Sequence, residues 1–222
     1  NGDIYIKKHM DGVIFAGEVD IRVIEEFRKH SIPVVLVNNY LDMDGLVCIS
    51  ADHYGGAVQA TEYLCKLGHC KIGLLSGRFS PQVSEARIEG FVKTLAKYDI
   101  PVDDRFIADI EPALEDGEEI MTRMLREVDR PTAFFCTNDT IAAGAMKAVT
   151  RAGLRVPEDI AIIGFDDSYI SRVVEPELTT VRIDAAKMGC LAMQTLFDLI
   201  AGMPVEKAHI QIPTELIVRG TA

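Results

Sequence analysis

PTAFFCTNDTIAAGAMKAVTRAGLRVPEDIAIIGFDD, residues 131–167, places two apolar runs on either side of one helical segment. TAFFCTN (132–138) reads as a buried strand, and DIAIIGF (159–165) as another. Between them TIAAGAMKAVTRAG has a helical period, with Asp139 placed to cap it and Gly153 to end it. Strand, helix and strand at these lengths form a βαβ unit, which predicts a parallel sheet covered by helices.

The same alternation extends in both directions. Upstream lie DGVIFAG (11–17), PVVLVNN (33–39), KIGLLSG (71–77) and FIADI (106–110) as strands, and Cys48 sits in a further strand-like run. Helices fall between them. Ile21, Ile24 and Phe27 share one face, as do Ala57, Ala60, Tyr63, Leu64 and Leu67. Ile88, Phe91 and Leu95 are in phase over 84–98, which sets Arg87 in the first turn of that helix. Downstream, a helix near 186–201 precedes the extended HIQIPTELIVRG.

The chain of 222 residues is 48% hydrophobic and only 7% aromatic, which suits Val- and Ile-rich parallel strands. Its net charge of −11 excludes the phosphate-neutralising surface that nucleic-acid binding draws on, so any DNA-binding module lies outside these residues. No apolar run reaches the ~20 residues of a membrane span, and no export leader opens the chain. The five cysteines form no CxxC; Cys48 and Cys136 fall in apolar runs and read as buried, reduced thiols of a cytoplasmic protein.

Ligands of open α/β sheets sit beyond the carboxyl ends of strands. Those ends are polar: Asn38 and Asn39, Ser76, Asn138 and Asp139, Asp166 and Asp167. Such side chains suit a polyhydroxylated ligand. Asp166–Asp167 has two further readings, a metal or phosphoryl-transfer pair and a strand-end turn bonding backbone N–H groups; ligand or turn ranks above metal. Arg87 is either a solvated helix residue or a fork of donors for a ligand oxygen. The histidines (His9, His30, His53, His69, His209) lack metal-ligand spacing and read as surface or turn residues. No GxGxxG, GxxxxGK[ST], HExxH or GxSxG motif supports an enzyme, and no cofactor is expected.

The stretch 131–167 resembles the signature of LacI-type (lactose and galactose repressor) transcription regulators. GHCKIGLLSG, SEARIEGF, PELTTVRID, IPTELIVRG, DGVIFAG and PVVLVNN match in the family's order and cover nearly the whole chain. The resemblance implies an α/β fold of two periplasmic-binding-protein-like lobes, each a parallel sheet flanked by helices. Three crossovers would join them near Ile49–Ser50, Val181–Asp184 and Ile210–Thr214. The lobes would be 1–49 plus 184–211 and 50–183 plus 212–222. Carried over position by position, the effector contacts fall on Asn38, on Arg87 of R-x-x-G-F, on Asn138 of the N-D pair and on Asp166 of F-D-D. Family members often have an aromatic ring where Ile110 stands, so a sugar or related polyol is expected rather than a purine.

The resemblance also implies a helix-turn-helix headpiece, a hinge helix and an opening strand–helix–strand ahead of DGVIFAG. A first lobe lacking that unit would have a gap in its sheet. The expected partners are a small-molecule effector bound between the lobes, operator DNA through the headpiece, and a second copy of the chain. Small residues Ala142, Ala143, Gly144 and Ala145 would serve either core packing or that homodimer contact. The alternative is a periplasmic sugar-binding protein of an uptake system, which shares the fold.

Overall fold

The computed structural model describes residues 10–39, 41, 43–205 and 208–222. In chain order the strands and helices begin β1 (Val13–Ala16), α1 (Ile21–Lys29), β2 (Val34–Val37), β3 (Val47–Ala51), α2 (His53–Lys66), β4 (Ile72–Gly77) and α3 (Pro81–Lys97). They continue β5 (Ile107–Ile110), α4 (Leu114–Met124), β6 (Ala133–Cys136), α5 (Asp139–Arg151), β7 (Ala161–Asp166), β8 (Thr179–Arg182), α6 (Ala185–Ile200), β9 (His209–Ile212) and β10 (Glu215–Ile217).

These elements divide into two compact units. Unit 1 is the chain up to Asp52 with Asp184–Ile212; unit 2 is His53–Ile183 with Pro213–Ala222. The chain therefore passes between them three times, after Asp52, Ile183 and Ile212.

Unit 1 carries a parallel sheet of order β1-β2-β3-β9. Its ladder is unbroken: Val13 pairs Val34, Val35 pairs Val47, and Cys48 pairs His209. The expected gap is thus absent among the described residues, of whose strands β1 is the outermost on its side. One core forms beneath α1 from Ile24, Phe27, Val34, Leu36, Leu46 and Cys48. Ile21 is exposed, so the apolar face of α1 is narrower than its sequence period suggests.

Unit 2 carries six strands in the order β10-β8-β7-β6-β4-β5. Five are parallel; β10 runs antiparallel to β8, a departure from the all-parallel expectation. The departure follows from connectivity, because the chain re-enters at Pro213 and adds a short strand at the open side of β8. Side chains alternate through the sheet, so Leu75 and Phe134 enter the core under α4 and α5, while Leu74 and Phe135 enter the one under α2 and α3. Leu67 lies outside that second core and is exposed.

Two local readings shift by a turn or a residue. Helix α3 begins at Pro81, so Arg87 lies in its second turn. Asn138 caps α5, accepting from the Ile141 N–H at 2.8 Å, and Asp139 is the first helical residue. The small residues of α5 are buried against α4: a Cβ on Gly144 would meet the Leu114 carbonyl oxygen at 2.1 Å, and one on Gly117 the Ile141 carbonyl at 2.5 Å. They allow two helices of one unit to touch backbone to backbone.

Candidate functional site

The carboxyl ends of β6 and β7 bring Asn138 and Asp166 to one margin of unit 2, and α3 extends Arg87 to the same place. Arg87 is only 3% exposed. Its guanidinium is held by three acceptors. Nη1 donates to the Thr137 carbonyl oxygen, and Nη2 lies 3.2 Å from His53 Nδ1 and 3.3 Å from Asp166 Oδ1. Two rings flank its plane, Phe165 at 4.0 Å and Phe79 at 4.9 Å. The guanidinium is thus enclosed by one carboxylate, two neutral acceptors and two ring faces.

Asp166 adopts φ +106°, a conformation that non-glycine residues rarely hold. Its side chain keeps 37% of its surface open, so water reaches the carboxyl on one side. Burial on the other side pushes it up to about 6; Arg87 draws it part of the way back, and the Asp139 carboxylate adds to the rise. The result is an acceptor with one oxygen tied to a buried cation.

Asn138 spends its Oδ1 on the α5 cap, which leaves its amide nitrogen as the group able to donate. Ser76, at the end of β4, has a buried hydroxyl with no hydrogen-bond partner among the described residues. Asn38 belongs to unit 1. It has φ +49°, and its Oδ1 accepts from the Ala51 N–H at 3.1 Å. Asn39 is spent within unit 1, donating to the Gly17 carbonyl after β1 and accepting from the Leu41 N–H.

Asp167 points elsewhere. Its side chain is 2% exposed and pairs with Arg219, with Arg182 at 2.8 Å and with Arg172 at 3.5 Å. Burial alone would raise this carboxyl, but hydrogen bonds from Arg219, Arg182 and Ser171 outweigh it and hold it at about 2. Asp139 accepts from Thr180 and from the Ser168 N–H, which ties α5 to the segment after β7. No group of three or more His, Cys, Asp or Glu among the described residues could hold a metal ion.

The comparisons with known proteins converge. A family model described as a periplasmic binding protein-like domain matches residues 61–222. The probable HTH-type transcriptional repressor ExuR of Bacillus subtilis is 34% identical over 99% of this chain and 66% of its own length. The HTH-type transcriptional repressor PurR of Pasteurella multocida is 33% identical over 98% of this chain and 66% of its own. Among solved structures, a regulatory protein of the LacI family from Chloroflexus aggregans superposes with a TM-score of 0.90 at 29% identity, over 99% of this chain and 79% of that one.

The chain belongs to the LacI family.

It is a LacI-type effector-binding domain with the periplasmic-binding-protein-like fold, and it spans about two thirds of the length of the curated relatives it matches. Two further structural neighbours hold sugars. A LacI-family regulator from Enterococcus faecium with bound ribose matches at TM-score 0.89 and 27% identity, over 98% of this chain and 82% of that one. The regulator CelR in complex with cellobiose matches at TM-score 0.89 and 25% identity, over the whole of this chain and 68% of that one. No helix among the described residues is long and apolar enough to cross a membrane.

Within this LacI-type domain, the structure joins Arg87 and Asp166 directly and sets Asn138 beside them in sequence, one residue after Thr137. It separates Asp166 from Asp167, which the sequence presents as a pair. Ile110 is buried in the core with Cys136 and Met121, so its side chain packs against protein. His53 is the residue that sequence reasoning misplaced: it is 2% exposed, not at the surface. Its position after a strand and at the start of a helix was the available signal. His9 lies outside the described residues.

Proposed function

We propose that this domain senses a small polyhydroxylated effector, a sugar or sugar derivative, for a bacterial transcription regulator. The observation that carries the reading is the state of Asp166, an open carboxylate at a strand end whose inner oxygen is held by a buried arginine. In the proposed contact set Asp166 accepts from ligand hydroxyls, Asn138 donates, Arg87 fixes the carboxylate, and Asn38 is the contribution of unit 1. Bound ribose and cellobiose in two structural neighbours that are transcriptional regulators support the ligand class. The proposed lobes are 1–49 plus 184–211 and 50–183 plus 212–222.

In the whole regulator, which we place in the cytoplasm, operator DNA would be bound by a headpiece, as the HTH-type names of the relatives suggest. The net charge of −11 keeps this domain itself off DNA. The proposed homodimer draws on the segment after β7, where Tyr169 is 82% exposed and Val173 is also exposed. The uptake-protein alternative is not favoured, because the curated relatives are transcriptional repressors.

Thermal unfolding of the chain with ribose, cellobiose and a panel of neutral and acidic sugars tests the reading. A ligand at a hundred times its Kd stabilises by about 2.7 kcal/mol. At least one sugar should raise the melting temperature, and Asp166→Ala should reduce that rise at the same sugar concentration. A sugar-induced shift of undiminished size in Asp166→Ala would remove this carboxylate from the site.

A further inference from the structure

We propose that His53 is a positioning residue for the ligand-facing pair: its neutral imidazole accepts a hydrogen bond from Arg87 at Nδ1 and so holds the guanidinium against Asp166 without competing for its charge. The proposal rests on the ligand reading of Asp166 given above.

Chemistry assigns the roles. A guanidinium only donates, so the imidazole nitrogen 3.2 Å from Arg87 Nη2 must accept. An imidazole that accepts at Nδ1 carries its hydrogen on Nε2, which defines both tautomer and charge state. The setting agrees: burial and the adjacent Arg87 charge hold His53 down to about 3. The ring is buried and lies 6.0 Å from that of Phe165, the same ring that stacks on Arg87.

Arg87 is thus pinned by acceptors from three places in the fold. The Thr137 carbonyl comes from the end of β6, Asp166 from the end of β7, and His53 from the start of α2. Only one of the three is charged. A carboxylate in the place of His53 would claim the guanidinium and release Asp166. An apolar side chain would leave one of the three holds empty. Among the described residues Asp139 also acts on this cluster, and its charge disfavours the ionised form of Asp166. Arg87 is therefore the cation on which that ionised form depends. His53 is also the first residue of unit 2 after the chain leaves unit 1 at Asp52, so the pair is anchored to a crossover.

The test reads the protein without any ligand. Nitrogen NMR of the histidine-labelled chain should show His53 with Nδ1 bare and Nε2 protonated from about pH 8 to about pH 5. Carbon NMR of the aspartate carboxyls should show Asp166 titrating unchanged in His53→Gln, which keeps a neutral acceptor. In His53→Phe its midpoint should rise by about one pH unit, since the opposite charge that favours ionisation is no longer fixed. His53→Asp should raise it as well. A protonated Nδ1 in that pH range, or an Asp166 midpoint that does not move in His53→Phe, overturns the proposal. Should His53→Phe fail to fold, the wild-type tautomer and the His53→Gln titration decide it. These readouts are independent of sugar binding: if they hold and no sugar binds, the positioning role stands and the ligand class above fails.

Discussion

Asp166 and Asp167 are chain neighbours at the end of one strand, yet their surroundings differ in kind. Asp167 is enclosed and met by three arginines drawn from the segment after β7, from β8 and from the last residues of the chain. Asp166 has one arginine, one open side and a raised carboxyl. The difference separates a lock from a site. A carboxylate whose oxygens are all answered by protein stabilises the fold; one answered on a single oxygen has capacity left for something else. Both residues have positive φ, 106° and 50°, and that backbone twist turns consecutive side chains into different environments.

The largest effect expected from breaking this contrast is on stability. Asp167→Asn leaves the mostly buried Arg219 only the exposed Glu177, 3.6 Å away, as a charge partner, and should cost about 3–5 kcal/mol in urea unfolding. A loss below about 1 kcal/mol would show that the arginines hold the segment without the carboxylate.

Gly164→Ala probes the neighbouring lock at Asp139. The added Cβ would meet Asp139 Oδ1 at 2.4 Å and Leu178 Cδ2 at 2.7 Å. Overpacking there should cost about 1–3 kcal/mol in the same assay, and a neutral outcome would mean that the Asp139 side chain gives way freely.

Asp166→Ala should behave in the opposite way. For whichever sugar the thermal screen identifies, calorimetry should show affinity falling by about 1–3 kcal/mol, about fivefold or more, as an accepting partner is lost. Stability at neutral pH should fall less than in Asp167→Asn, because Asp166 answers one arginine that Thr137 and His53 also hold, whereas Asp167 answers three. Equal losses of stability in Asp166→Ala and Asp167→Asn would erase the distinction between lock and site.

The smallest effect is on pH dependence, and the two residues should respond with opposite sign. The folded-state pKa of Asp166 is raised, so the folded protein holds its proton more tightly than the unfolded chain. Its contribution to stability therefore grows as pH falls from about 7 through 6 toward the unfolded value. Discounted for the open side of the carboxyl, the gain should be under about 1 kcal/mol and absent in Asp166→Asn. The folded-state pKa of Asp167 is lowered, so its contribution is present above the unfolded value and is lost as pH falls toward about 2. Urea midpoints at neutral and mildly acid pH for wild type and Asp166→Asn read the first term. An Asp166→Asn difference that does not vary with pH would show that Asp166 titrates as it does in the unfolded chain.

Much of this was legible in the chain alone, and the reason is local. Apolar runs, helical periods and the glycines that end helices depend on near neighbours, so the alternation of strands and helices could be read directly from residues such as 132–138 and 140–153. The polar strand ends were legible for the same reason, and with them Asn138, Arg87 and Asp166. Tertiary structure alone decided the partners. Asp167 meets Arg219 across 52 positions, and Arg87 meets His53 across 34 and Asp166 across 79. It also decided that β10 runs against β8 and that β9 pairs β3 in unit 1. Sequence spacing carries no record of such pairings, because burial and ion-pair geometry arise only when distant elements pack, and packing made one of two adjacent aspartates a lock and left the other open.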